Sequence, residues 1–308
     1  MFSGQFCRYL STGNTLWQST SKSLLGKLRK KTGYTFTNCK KALELHENDL
    51  GKAEAWLKEQ AQALGWSKAQ KLQGRSTTQG LVAVMVNKNH GVLVEINCET
   101  DFVARNKTFH SLAETIITAI VKHTGELSPG DKVKKISLDA EFLKSLPVMD
   151  GKTIADHVAL TIGNLGENIS VRRALQMSVH PDIELVGCTH PTPVNPIPVS
   201  VGKYGALLGY KCQAPVNNLL GMQLCQHIIG MNPSRIGEVG VDEPMSNADD
   251  ESTMIHQEFL LDPSLTVQQV LLAAQAEIVD FARFEMGEQT ETDEMESKET
   301  AEPVKTCC

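Results

Sequence analysis

The sequence predicts an α+β protein, with an N-terminal three-helix domain followed by two repeated α+β subdomains that carry antiparallel sheets. Three observations lead there. Apolar residues between positions 23 and 66 recur at the spacing of short amphipathic helices. Beyond residue 80 the period changes to β-rich apolar runs separated by turn residues. That second pattern returns after residue 199, so one supersecondary unit is used twice.

Residues 1–22 are rich in Ser and Thr, basic and free of acids, as expected of a mitochondrial transit segment. A secretory signal would need an apolar core of roughly 7–15 residues, which this stretch lacks. Residues 23–66 read as three short helices. In the first, Leu24, Leu25 and Leu28 share a face. Thr37 or Asn38 is expected to cap the second, whose Cys39, Ala42 and Leu43 face inward. Asn48 or Asp49 is expected to cap the third, where Ala53, Trp56, Leu57, Ala61 and Leu64 follow the helical period. Gly33 and Gly65 are placed to end helices. Residues 67–79 are polar and basic and read as a linker.

The first α+β subdomain is expected over residues 80–180. Leu81 to Val86 and Gly91 to Cys98 form strands joined through Asn87-Lys88-Asn89-His90, a hairpin signal. A helix follows, with Phe109, Leu112, Ile116, Ile117, Ile120 and Val121 on one stripe. After a loop around Pro129 and Gly130 come a helix near Ile154 to Gly163 and a strand from Glu167 to Met177. Residues 181–198, with five prolines, read as an extended connector. The second subdomain, 199–287, repeats the pattern. Gly205–Cys212 matches Gly91–Cys98, the helix of Leu220, Leu224 and Ile228 matches that of Leu112 and Ile116, and the run from Ala276 to Phe284 matches that following Asn168. Residues 288–308 are acidic, poor in large apolar side chains, and expected to be disordered.

Composition removes several classes of function. Residues 1–43 hold eight basic residues and no acid, so the remainder carries 22 basic against 36 acidic residues. An acidic body of that kind argues against nucleic acid as the main partner. No run of eighteen apolar residues exists, so no segment is expected to span a membrane. The eight cysteines form no CxxC pair and the nine histidines are dispersed, so neither a metal site nor a bound cofactor is expected. Isolated cysteines and histidines of this sort are mostly satisfied core or surface residues. There is no GxxxxGK[ST] loop, HExxH or GxSxG, and no grouping of nucleophile, base and orienter, so the chain is not expected to be an enzyme.

One segment stands apart, Asn97-Cys-Glu-Thr-Asp-Phe-Val-Ala-Arg-Asn106, at the exit of the second strand. Taken alone, Thr100 or Asp101 caps the next helix while Phe102 and Val103 pack beneath it. The repeat changes the weighting. The corresponding corner of the second copy reads Ala214-Pro-Val216, so only the first copy sets an acid beside an aromatic, and folding alone does not ask for Asp101 and Phe102.

On these residues the sequence resembles the elongation factor Ts family, in its mitochondrial form, from about Ser23 to Glu288. Five signatures carry the likeness in order: Lys31-Thr-Gly33 followed by Asn38-Cys-Lys-Lys-Ala-Leu43; Glu95-Ile-Asn-Cys-Glu-Thr-Asp-Phe-Val-Ala104; Gly166-Glu-Asn168 with Arg172-Arg173; Asp262-Pro-Ser264; and Arg283-Phe-Glu285 with Gly287-Glu288. The resemblance implies that the helical domain is ubiquitin-associated-like. It also implies GDP release from elongation factor Tu as the activity, within a one-to-one heterodimer in the mitochondrial matrix, without nucleic acid or membrane. The motif at Thr100, Asp101, Phe102 and Val103 would enter the partner's GTPase domain and dislodge Mg²⁺. Phe102 would act as a wedge between two partner helices, and Asp101 would help to hold the displaced arrangement. Arg29 and the neighbourhood of Phe36 and Thr37 match positions that touch the same domain. Departures from the family pattern include a short polar stretch at 233–257 where bacterial members carry a helical coiled-coil insertion. Phe36-Thr37 stands in place of a methionine pair, and Val201 or Gly202 occupies a position often filled by His. A different class of function, a cytosolic ubiquitin-binding adaptor acting through residues 23–65 alone, is the competing expectation.

Overall fold

The computed structural model describes residues 15–32, 34–123, 132–192, 198–212 and 218–289. The loop around Pro129 and Gly130, Gly33, the corner Ala214–Val216, part of the proline-rich stretch, most of the leader and most of the acidic tail lie outside the described residues. The chain divides into two compact units, Met1–Ser67 and Lys68–Cys308.

The first unit holds helices α1 (Thr15–Thr32), α2 (Phe36–Leu45) and most of α3 (Leu50–Leu72). Leu28, Cys39, Ala42, Leu43, Ala53 and Leu57 form its core, with Leu24, Leu25, Tyr34, Leu50 and Trp56 packed around them. The apolar stripes read from the sequence therefore meet as expected. Their ends differ. Helix α1 begins at Thr15, inside the segment read as a leader. Helix α2 is capped by Thr35, whose side chain accepts from the Asn38 amide, so Thr37 and Asn38 lie within its first turn. Asp49 does cap α3: its Oδ1 accepts from the amides of Gly51 at 2.8 Å and Lys52 at 3.0 Å. Those bonds favour the ionised carboxyl and hold its pKa below the ordinary value. Gly65 does not end α3; it is buried within the helix, which runs on through the first part of the expected linker to Leu72. Leu64, expected inward, is 56% exposed.

The second unit begins with the hairpin β1 (Gln79–Asn87) and β2 (His90–Cys98), paired from Gln79↔Cys98 to Asn87↔His90. Lys88 takes positive φ (54°) in the two-residue turn. Next come α4 (Asp101–Ala104), α5 (Lys107–Lys122), β3 (Val133–Asp139), α6 (Ala140–Ser145), α7 (Ile154–Leu165) and β4 (Ile169–Val179). The second part holds β5 (Glu184–His190), β6 (Val199–Gly202), β7 (Tyr204–Cys212), α8 (Asn218–Met231), β8 (Glu258–Phe259), β9 (Asp262–Thr266), α9 (Val267–Ala274) and β10 (Ala276–Glu285). Two antiparallel sheets result, ordered β3-β4-β2-β1-β6 and β10-β7-β5, beside a small β8-β9 ribbon. The inner pattern β4-β2-β1 recurs as β10-β7-β5; the matches of β2 with β7 and β4 with β10 are those read from the sequence, whereas that of β1 with β5 is not.

Three elements differ from expectation. Strand β5 lies in the stretch read as a connector and pairs with β7. Strand β6, placed by sequence in the second subdomain, pairs with β1 at the edge of the first sheet. Strand β3 and helix α6 occupy a region read as loop; β3 alternates half-buried and exposed positions, the pattern of a polar edge strand.

Strand periodicity splits the core into layers. Leu81, Ala83, Val92, Val94 and Ile96 face one way, onto Phe109, Leu112, Ile116 and Ile120 of α5. Val82, Val84 and Leu93 face the other way, onto Leu185, Leu207 and Phe284 of the second sheet. The outer face of that sheet packs on Leu220, Leu224 and Ile228 of α8. The unit is thus helix, sheet, sheet, helix. At the sheet-to-sheet seam two glycines are used reciprocally. A Cβ on Gly91 would fall 2.8 Å from a Leu207 methyl, and one on Gly205 would fall 3.1 Å from a Leu93 methyl. Gly91 and Leu93 are the repeat equivalents of Gly205 and Leu207, so each copy supplies the slot for the other's leucine.

Candidate functional site

Helix α4 is a single turn, and its four residues divide by direction. Successive residues of a helix are turned about 100° from one another, so neighbours cannot share a face. Val103 is 8% exposed and joins the core beneath α5, while Phe102 beside it is 81% exposed. The reading in which both pack beneath the helix is corrected on this point: only Val103 does so. Thr100, not Asp101, is the cap; its Oγ1 accepts from the Val103 amide at 3.4 Å. Asn106 separately caps α5, accepting from Thr108 at 2.8 Å.

Asp101 remains half-exposed, paired through Oδ2 with Arg105 Nη2 at 3.0 Å. A pair this open to water contributes at most about 1 kcal/mol, so the carboxylate can exchange that partner for another at little cost. Beneath the corner, Cys98 donates to the Thr100 carbonyl at 3.2 Å. Burial, reinforced by the charge of Glu167, pushes its pKa up to about 12 and keeps it a thiol.

The corner is tied to the loop after α7. Gly166 closes that helix at φ 80°, a left-handed turn suited to glycine. The next residue, Glu167, accepts from the Thr100 amide (3.0 Å) and from the Thr100 hydroxyl (2.7 Å). In the opposite sense, Glu99 accepts from the Asn168 amide at 2.7 Å and pairs with Arg75 at 3.4 Å. Sequence reasoning singled out Gly166-Glu-Asn168 as a motif but gave it no role. Behind the corner, fully buried Glu95 accepts from Arg172 Nη1 (2.9 Å), Arg173 Nε (2.7 Å) and the Gly287 amide (2.8 Å). Compensation of this kind is what a buried carboxylate requires.

In the helical unit, Arg29, Phe36 and Thr37 are all exposed; Phe36 opens α2 with 56% of its surface free. A cleft of about 420 Å³ elsewhere in the second unit is lined by His190, Tyr204, Gln226, Arg283 and Glu285 and shares no residue with the corner.

Comparison with known proteins sets this arrangement in context. Residues 7–67 match the family described as elongation factor Ts, mitochondrial, N-terminal; residues 99–251 and 241–288 match elongation factor TS. The chain is 50% identical over 287 residues to elongation factor Ts, mitochondrial, of Aedes aegypti, covering 92% of this chain and 94% of that one. It is 47% identical over 289 residues to the protein of that name in Drosophila melanogaster, covering 92% and 91%. For Homo sapiens the values are 41% over 285 residues, with 90% and 87% covered. These likenesses define the class as translation elongation factors of the mitochondrion. Within it, the chain belongs to the elongation factor Ts family, and the resemblance carried by the five motifs is borne out.

Proposed function

We propose that the chain is the guanine nucleotide exchange factor for elongation factor Tu in the mitochondrial matrix, acting as a one-to-one heterodimer and without covalent chemistry of its own. It binds the GDP form, displaces the partner's Mg²⁺ and promotes GDP release so that GTP can bind. The observation that supports this best is the Phe102 ring, 81% exposed on a single helical turn whose cap and anchor are both fixed. An isolated solvated phenylalanine contributes nothing to this protein's own core. Buried in a partner, it gains about 1.5–3 kcal/mol.

In this reading Thr100 and Val103 hold the turn, Phe102 is the wedge, and Asp101 leaves Arg105 for groups freed in the partner. Arg29, Phe36 and Thr37 add grip from the helical unit. The deciding experiment is stopped-flow release of a fluorescent GDP analogue from mitochondrial elongation factor Tu. Addition of this protein is expected to accelerate release by orders of magnitude; release at the intrinsic rate throughout a titration refutes the assignment.

A further inference from the structure

We propose that Glu167 is a positioning residue for exchange, orienting Phe102 through Thr100, an inference that rests on the exchange reading above. A four-residue helix has no stability of its own, since one turn closes too few hydrogen bonds to offset nucleation. Its direction is therefore set by whatever holds its first residue. Thr100 is held at two points by one carboxylate: its amide meets Oε2 at 3.0 Å and its hydroxyl meets Oε1 at 2.7 Å. Charge-assisted bonds made in parallel fix orientation as well as distance. The same Thr100 oxygen then accepts from the Val103 amide, closing the turn that lifts Phe102 outward.

The clamp is reciprocal. Glu99, adjacent to Thr100, accepts from the amide of Asn168, adjacent to Glu167. The Asn168 side chain in turn donates to the Arg75 carbonyl at 2.9 Å, and Arg75 returns to Glu99. Two loops 67 residues apart thus exchange carboxylates, and the bonds converge on Thr100, two residues before the exposed aromatic. Glu167 is half-buried, and both its carboxylate oxygens are engaged by Thr100. Its contribution runs through the angle at which the ring is presented, and a misplacement of about 1 Å at a reacting geometry costs up to about a hundredfold in rate.

The test separates maximal exchange rate from half-saturating concentration in the GDP-release assay. Glu167→Ala is expected to lower the maximal rate about tenfold while half-saturation moves less than about twofold, because grip elsewhere is intact. Glu167→Gln keeps the length and one acceptor oxygen and should lose less than about threefold. In a Phe102→Ala background either Glu167 substitution should add less than about twofold, since the ring it orients is gone. Should Glu167→Ala fold poorly, the same coupling is read from Glu167→Asp, whose carboxylate is one methylene too short to meet both the Thr100 amide and hydroxyl. That variant should lose about fivefold or more alone and less than about twofold in the Phe102→Ala background. A full loss in the Phe102→Ala background, or a change confined to half-saturation, overturns the positioning role and leaves the wedge standing. If Phe102→Ala alone exchanges at the unsubstituted rate, the wedge falls and the positioning role falls with it.

Discussion

His227 sits fully buried on α8, and its two ring nitrogens are committed to opposite duties. The Leu260 amide donates to Nδ1 at 3.2 Å, so that nitrogen carries a lone pair, and Nε2 then donates to Gln257 Oε1 at 3.1 Å. The ring is neutral by geometry, and burial lowers its pKa from the ordinary 6.5 to about 4. Because the folded value lies below the unfolded one, the unfolded chain binds the extra proton. The stability this ring contributes is complete above pH 6.5 and is lost as pH falls towards 4. Urea unfolding at pH 7 and pH 5 should therefore differ by about 2 kcal/mol from this residue, and His227→Gln should remove most of that difference. A histidine satisfied within the core was legible from the sequence as a class, but its partners were not. The same holds at the corner. That Phe102 serves something other than folding could be inferred because the second copy lacks it. The tie from Thr100 to Glu167 crosses 67 residues, and no local pattern encodes it.

Among the elements, helices and hairpins announced themselves where one face is apolar and periodic, as in α5 and the β1–β2 pair. Strand β5 was hidden because prolines follow it closely, although Leu185 and Cys188 point into the core. Strand β3 was hidden for the opposite reason: on an edge it buries little, so its residues look like loop. Helix α3 ran past Gly65 because that glycine is buried where a helix tolerates it for packing, at a modest cost of about 1 kcal/mol. The seam between the sheets is where element packing is tightest. A methyl added at Gly205 would meet Val82 at 2.7 Å, Val84 at 2.8 Å and Leu93 at 3.1 Å, with strands on every side. Gly205→Ala is expected to lower stability by about 1–3 kcal/mol, measured by denaturant titration, with little change in the slope of the transition. A neutral result would mean that the two sheets slide freely past one another.

For the whole molecule the question is why a wedge needs so large a body. Shifting a partner's equilibrium by four orders of magnitude takes roughly 5.5 kcal/mol of differential binding, and one phenylalanine supplies about 1.5–3 kcal/mol. On the proposed reading the remainder comes from other surfaces that would bind the nucleotide-free partner more tightly, for which the exposed Arg29, Phe36 and Thr37 of the helical unit are the candidates. By linkage, nucleotide must weaken the complex by the same factor. The duplicated core serves this by rigidity: Val103 and α5 anchor the corner from below, and Glu95 with Arg172 and Arg173 fixes the strands behind it. The most direct measurement is stopped-flow GDP release from elongation factor Tu driven by the Phe102→Ala variant, with thermal melting of that variant in parallel. The account predicts an unchanged melting temperature and release slowed by about tenfold or more, in line with about 1.5–3 kcal/mol withdrawn from the displaced state. Release at the unsubstituted rate from an equally stable protein would contradict it.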